Sequence, residues 1–280
     1  MTTLRVARVP YLNTDPFFPE PGAAVPMKLI DLPPRLLGEA AARGEIDAGP
    51  MAVVDYFRQQ EAFEPLGDFG IAALGEAKSV LLFSQRPLSQ LDGCAIDVTD
   101  QTSTSGMLLR LLLEQRYDLR PASYHRVNGD ASEPACPRNS PEAGGACLPR
   151  QTFVDRQAEA RLLIGDEALR MRTQDYRMPY RIDLGSEWWL WQALPFVFAI
   201  WVVRKEVAAR AKHELIRQLG ASLDANLADP SPIARRRTTL LAMPEAEIGR
   251  YLRLFRYRLN DHDRQGMARF KELLDAHHLL

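Results

Sequence analysis

Short apolar runs alternate with amphipathic stretches through the first two-thirds of the chain, and this alternation constrains the fold more than any other feature. Residues 4–9 have the composition of a strand. Residues 33–43 carry Leu36, Leu37, Ala40 and Ala41 at helical spacing and stop at Gly44. Residues 46–48 then lead through Gly49-Pro50 into a short helix expected from Met51 to Arg58. Strands follow at 79–84 and 94–98, a helix at 105–115, and a further strand at 160–164. Strand, helix, strand, helix predicts an α/β fold on a mostly parallel sheet. The last third, beyond Lys205, is mainly helical, punctuated by Pro230 and Pro232, with a final helix over 263–276.

At 280 residues, 46% hydrophobic and 25% charged, the chain can bury one large core or two smaller lobes. Its formal net charge of -1, with acidic and basic residues interleaved, gives no long-range attraction for nucleic acid or anionic lipid, so neither is an expected partner. The run Arg235-Arg236-Arg237 reads as a solvated helix face. The first twelve residues lack the continuous apolar segment of a signal peptide, and the longest apolar stretch, 194–203, is about half of what a membrane span requires. A cytoplasmic protein is expected. The three cysteines form no framework spacing; Cys136 and Cys147 share one Pro/Gly-rich stretch, and neither a structural metal nor a disulfide is expected there. That stretch, 127–153, reads as a loop insertion.

The runs 80–84 and 196–202 are apolar throughout before a polar boundary, and are read as crossings between two lobes. Lobe one then comprises 1–83 and 201–280, drawn from both termini, and lobe two 84–200. A small ligand belongs in the cleft between them.

The chemistry-bearing candidates lie at segment boundaries. Thr102, Ser103, Thr104 and Ser105 precede the apolar helix that starts near Met107, either as an ordinary N-cap or as a carboxylate site at a helix N-terminus. Asn13 follows the first strand, where it either satisfies a turn or projects into a ligand crevice. Ser84 ends the strand 79–84 with no Gly-x-Ser-x-Gly elbow around it, so it reads as a hydrogen-bond donor and not a nucleophile. Asp166 and Glu167 follow Gly165 after a buried strand; Asp166 reads as an N-cap and Glu167 as solvated, with a cleft contact open to the Gly165-Asp166 backbone. Asp183 reads as structural. Trp188 and Trp191 either pack in the core or offer a face to a planar ring. Gly44-Glu45-Ile46-Asp47-Ala48-Gly49 lacks the dinucleotide fingerprint, and no Walker motif occurs, so no nucleotide cofactor is implied.

Tyr11-Leu12-Asn13, Thr102-Ser103-Thr104-Ser105, Leu163-Ile164-Gly165-Asp166-Glu167-Ala168-Leu169, Asp183-Leu184-Gly185-Ser186-Glu187-Trp188 and Leu194-Pro195-Phe196-Val197-Phe198-Ala199-Ile200-Trp201 occur in an order that resembles the chorismate dehydratase family of the futalosine route to menaquinone. The resemblance covers most of the chain. It implies a two-lobed type II periplasmic-binding-protein-like fold with a central cleft, and loss of water from chorismate to give 3-[(1-carboxyvinyl)oxy]benzoate without metal or cofactor. It also implies that Thr104-Ser105 meet a substrate carboxylate, that Asn13 faces the substrate, that Ser84 matches a polar position read as a donor to bound carboxylate, and that the backbone near Pro50-Met51 borders the cleft. With no side chain in this set a convincing base, a substrate carboxylate is the expected proton acceptor.

Two departures stand out: the 127–153 insertion, and Ala193 where glycine is expected. The sister dihydroxynaphthoate synthase family carries a histidine near the Ile164-to-Leu169 segment, and none of the five histidines here lies there. A non-catalytic binding protein of the same architecture is the competing class. Oligomeric state is not legible in the sequence.

Overall fold

The computed structural model describes residues 3–19, 27–127, 158–173 and 178–280. The 127–153 insertion beyond Val127, with Cys136 and Cys147, lies outside the described residues. The described strands are β1 (Leu4–Arg8), β2 (Met27–Asp31), β3 (Ala48–Ala52), β4 (Phe63–Ala73), β5 (Val80–Ser84), β6 (Ala95–Thr99), β7 (Ser123–Val127), β8 (Ala160–Ile164), β9 (Tyr180–Asp183), β10 (Phe196–Arg204) and β11 (Phe255–Arg258). They form two sheets, ordered β11-β4-β10-β3-β1-β2 and β7-β6-β8-β5-β9. Helices cover them: α1 (Pro34–Ala42), α2 (Val53–Gln59), α3 (Thr104–Leu111), α4 (Gly165–Thr173), α5 (Leu184–Gln192), α6 (Ala209–Ala228), α7 (Ser231–Leu241), α8 (Glu245–Leu252) and α9 (Asp261–Ala276). The first sheet takes strands from both ends of the chain, the second only from its middle. Two α/β lobes result.

The sheets are mixed, not mostly parallel. β1 runs parallel to β2 and β3, and β6 parallel to β7 and β8. β10 is antiparallel to β3 and β4, and β5 is antiparallel to β8 and β9. β5 and β10 are the first strands after the chain changes lobes, and each enters its new sheet against the direction of the neighbours it joins. Both lie wholly within one sheet, so the lobe changes fall at 74–79 and 193–195, just ahead of the two apolar runs read as crossings. The boundaries expected at 83/84 and 200/201 cut through strands.

Both connections are pinned by groups whose sequence gives the reason. Asp183 caps α5, accepting from the Gly185 and Ser186 N–H at 2.9 and 3.1 Å, and the same carboxylate accepts from the Ala77 and Lys78 N–H of the first connection at 3.1 and 2.7 Å. A Cβ on Gly185 would stand 2.5 Å from the Gly75 carbonyl oxygen, so only glycine lets α5 approach that closely. In the second connection Ala193 adopts φ 53° at the end of α5, the left-handed conformation that makes glycine the usual occupant. Trp188 Nε1 donates to the Pro195 carbonyl at 3.2 Å, and Gly266 of α9 leaves room for that carbonyl, which a Cβ there would meet at 2.0 Å.

Two local expectations change. Met51 lies in β3 and not in a helix, paired with Ile200, because Pro50-Met51-Ala52 continues the sheet until α2 begins at Val53. All five β3 residues are buried, so the strand shows none of the alternation that would mark it in sequence. Arg237 turns inward from α7, where paired acids take up its guanidinium.

Candidate active site

A cavity lies between the lobes, a usual placement for a small-molecule site. It opens at the C-terminal ends of β1, β3, β6 and β8, where strand-to-helix turns deliver residues to a crevice. Val9, Ile71, Val80, Ile164, Phe198 and Phe255 supply apolar walls. The polar lining comes from Tyr11, Asn13, Thr14, Ser79 and the segment from Thr102 to Ser105. No Asp, Glu, His, Lys or Arg is among the described residues that line it. Any charge on a ligand must therefore be met by neutral dipoles.

Each polar group is held by its element. After β1 the chain turns through a 3₁₀ helix, Leu12–Phe17, locked by the Thr14 hydroxyl donating to the Val9 carbonyl. This presents Asn13, whose Oδ1 is buried with no hydrogen-bond partner among the described residues. A buried acceptor without a partner is costly, and a ligand hydroxyl in the cavity would satisfy it. The Tyr11 hydroxyl donates to Gln101 Oε1 of the other lobe. Its ring lies against Gly165, where a Cβ would come within 2.6 Å and where φ is +59°; both facts require glycine. The Gly165 N–H donates to the Ser79 carbonyl at 2.8 Å and is therefore not open to a ligand.

At the start of α3, Thr104 Oγ1 accepts from the Val54 N–H at 3.2 Å, which leaves its own proton available to donate. Ser103 and Ser105 flank it, and the helix's first-turn N–H groups lack intrahelical partners. Asp55 of α2, across from Ser103, is a buried carboxyl whose pKa is raised by desolvation and held back by Ser103 and Arg58. A Cβ on Gly38 would strike Asp55 Oδ2 at 2.5 Å. Arg35 of α1 completes the closure, donating from its backbone N to the Gln101 carbonyl at 3.1 Å and from Nε to the Asp100 carbonyl at 2.6 Å. With those of Tyr11 and Val54, these contacts tie the two lobes together beside the cavity.

The family model described as menaquinone biosynthesis matches residues 4–144 and 149–276. The chain belongs to the menaquinone biosynthesis family. A chorismate dehydratase of Thermus thermophilus is 28% identical over 255 residues, covering 86% of this chain and 84% of that protein. Protein AF1704 of Archaeoglobus fulgidus has a similar structure, with a TM-score of 0.75 at 16% identity, over 99% of this chain and 98% of that one. A Candida albicans protein with the generic periplasmic binding protein fold superposes with a TM-score of 0.62 at 10% identity, over 100% of this chain and 91% of its own. The two lobes and cleft are thus the periplasmic-binding-protein fold.

In this member of the menaquinone biosynthesis family the cavity gathers Asn13, Ser103, Thr104, Ser105 and Gly165. It does not gather Ser84, Met51, Trp188 or Asp166. Ser84 is fully buried at the far end of β5, where its hydroxyl donates to the Arg86 carbonyl at 2.7 Å and accepts from the Arg86 N–H at 3.0 Å. β5 pairs antiparallel with β8, Val80 opposite Ile164 and Ser84 opposite Ala160, so the end of β5 that reaches the cleft is its beginning. Ser79 occupies that end. Met51 points into the core between Pro50 and Ala52, which line the cavity in its place. Trp188 is fully buried and packs edge-on against Phe196 and Phe270.

Asp166 is neither a cavity residue nor the N-cap of its helix, since α4 begins at Gly165. Its Oδ1 accepts from the Leu12 N–H at 2.8 Å and its Oδ2 faces Arg237 Nη1 at 3.3 Å. Burial raises its pKa to about 6, opposed by Leu12 and Arg237. Ser79 and Asp55 carried no sequence motif, and Tyr11 was visible only as part of Tyr11-Leu12-Asn13. The antiparallel entry of β5 is the signal that identifies Ser79, and it is not present in composition or periodicity.

Proposed function

We propose that this chain is a chorismate dehydratase, a hydro-lyase that converts chorismate to 3-[(1-carboxyvinyl)oxy]benzoate in the futalosine route to menaquinone. The observation that carries the reading is the near full-length match to the Thermus dehydratase. The cavity is consistent with it: set between the lobes, apolar-walled and supplied with neutral donors suited to a dianion.

In this reading one carboxylate of chorismate lies at the start of α3, taking hydrogen bonds from the Thr104 and Ser105 hydroxyls and the helix's free N–H groups. The apolar walls hold the ring, and Asn13 Oδ1 accepts from the ring hydroxyl and orients it. The second substrate carboxylate takes the adjacent ring proton. The C–H electron pair becomes a ring π bond, the C–O pair leaves with the hydroxyl oxygen, and that oxygen recovers a proton to leave as water. Ring aromatisation supplies the driving force, so the protein has to position the dianion and stabilise charge on the departing oxygen. Ser79 and the Asn13 amide are the donors within the cavity for that oxygen. Exclusion of water strengthens each of these hydrogen bonds.

The test is to incubate the purified protein with chorismate alone and follow products by chromatography with mass detection. Protein-dependent loss of one water to the 3-substituted benzoate is expected. Unchanged chorismate with a folded protein would refute the reading in favour of a binding protein or a lyase with another substrate.

A further inference from the structure

We propose that Tyr251 is a positioning residue for Ser79: by donating its hydroxyl proton to Ser79 Oγ, it commits the serine's own proton to the cavity. Tyr251 and Ser79 stand 172 positions apart in sequence, the first on α8 and the second on the connection entering β5. Their oxygens are 2.8 Å apart and both residues are almost fully buried.

The direction of the bond follows from what else is within reach. The Tyr251 hydroxyl makes this one hydrogen bond among the described residues, so if Ser79 were the donor, the phenol proton would be buried without an acceptor. With Tyr251 donating, the Ser79 proton has two destinations. The Ala77 carbonyl is 3.4 Å away, beyond the range of a good O–H···O bond. The other destination is the cavity that Ser79 lines. A ligand acceptor there completes a chain from phenol to serine to ligand, in which each bond polarises the next.

The same surroundings separate positioning from proton supply. Burial holds the phenol pKa far above its ordinary value, with Asp166 and Asp183 adding to the effect and the Ser79 hydrogen bond and Arg172 only partly opposing it. Passing the Tyr251 proton through Ser79 to a departing hydroxyl would leave a buried phenolate. Tyr251 therefore stays protonated through turnover and acts by fixing the polarity of Ser79. Its ring is held for this by edge-on packing on Phe255, itself a cavity wall, with centroids 5.2 Å apart.

The inference rests on the dehydratase reading for its kinetic test, and that test is a double-mutant cycle of Tyr251→Phe and Ser79→Ala in the full-length protein. Each single change should lower kcat/KM for chorismate by about ten- to a hundredfold, and the double variant should equal Ser79→Ala alone. Full activity in Tyr251→Phe, or losses that multiply in the double variant, would overturn the proposal. A second measurement needs neither substrate nor variant. Neutron diffraction from the exchanged wild-type protein should place the Tyr251 deuterium on the line to Ser79 Oγ, with the Ser79 deuterium directed into the cavity. A Ser79 deuterium directed at Tyr251 would overturn the proposal. If the wild-type protein leaves chorismate unchanged, the dehydratase reading fails and the neutron result alone decides the role of Tyr251.

Discussion

Arg237 Nη1 of α7 lies 3.3 Å from Asp166 Oδ2 of α4, joining the two lobes behind the cavity, while Nε and Nη2 of the same guanidinium hold both oxygens of Asp15 at 2.7 and 2.8 Å. Asp166 also accepts the first N–H of the turn that presents Asn13. The groups facing Asp166 are thus the Leu12 N–H, Arg237 and the Asp15 carboxylate, with Arg170 contributing from its own helix. Burial outweighs the favourable partners, and the pKa of about 6 lies above the unfolded value of about 3.9.

A group whose folded pKa is raised binds more protons folded than unfolded. Asp166 therefore favours folding fully below pH 4, and that contribution is lost as the pH rises to about 6. Asp166→Asn keeps an acceptor for Leu12 and leaves Arg237 its bidentate partner Asp15. Relative to wild type, the variant should gain about 1–3 kcal/mol of stability between pH 4 and pH 7. Denaturant unfolding of both proteins at those two pH values checks this, and a difference that does not change with pH counts against it.

Asn13 should matter for turnover more than for folding. Its buried Oδ1 has no hydrogen-bond partner among the described residues, so removing that oxygen breaks no bond to them. Asn13→Ala should leave the melting temperature within a few degrees of wild type and lower kcat by about a hundredfold or more, comparable to loss of an oxyanion-hole donor. Steady-state kinetics with chorismate, alongside a thermal melt, provides the comparison. An undiminished kcat would remove Asn13 from the mechanism.

Ala193 carries backbone strain at φ 53°. The left-handed conformation costs a non-glycine residue roughly 1–2 kcal/mol, partly offset in glycine by greater chain entropy when unfolded. Ala193→Gly should therefore stabilise the protein by about 0.5–1 kcal/mol. An unchanged or lowered denaturation midpoint would show that the second connection does not bear that cost.

Local patterns were legible where one element suffices to explain them. β8 runs over the five residues that its apolar composition marks, and α9 begins two residues before the expected Asp263, at Asp261, because Asn260 and Asp263 form a reciprocal cap. The polar segment ahead of α3 and Asn13 after β1 were visible because strand ends and helix starts have distinctive residues. What was hidden depends on direction and distance. Hydrophobic periodicity is the same read either way along a strand, so nothing in Val80-Leu81-Leu82-Phe83 says which end meets the cleft. Arg237 lies among exposed-looking arginines until the fold brings Asp15 and Asp166 to it from 222 and 71 residues away.

The direction of β5 yields the sharpest contrast between two serines on one segment. Ser84 closes the far end of the strand and bonds only to backbone, whereas Ser79 opens the near end, lines the cavity and receives a proton from Tyr251. Ser84→Ala should cost about 1 kcal/mol of stability through its lost backbone hydrogen bonds and leave kcat/KM for chorismate unchanged. Ser79→Ala should lower kcat/KM by about tenfold or more and also cost about 1–3 kcal/mol of stability, because it leaves the buried Tyr251 hydroxyl without its acceptor. Parallel kinetics and melts on the two variants decide the matter. Equal losses of activity would mean that the cavity end of β5 has been assigned to the wrong residue, and a loss confined to Ser84→Ala would return the catalytic contact to the strand's far end.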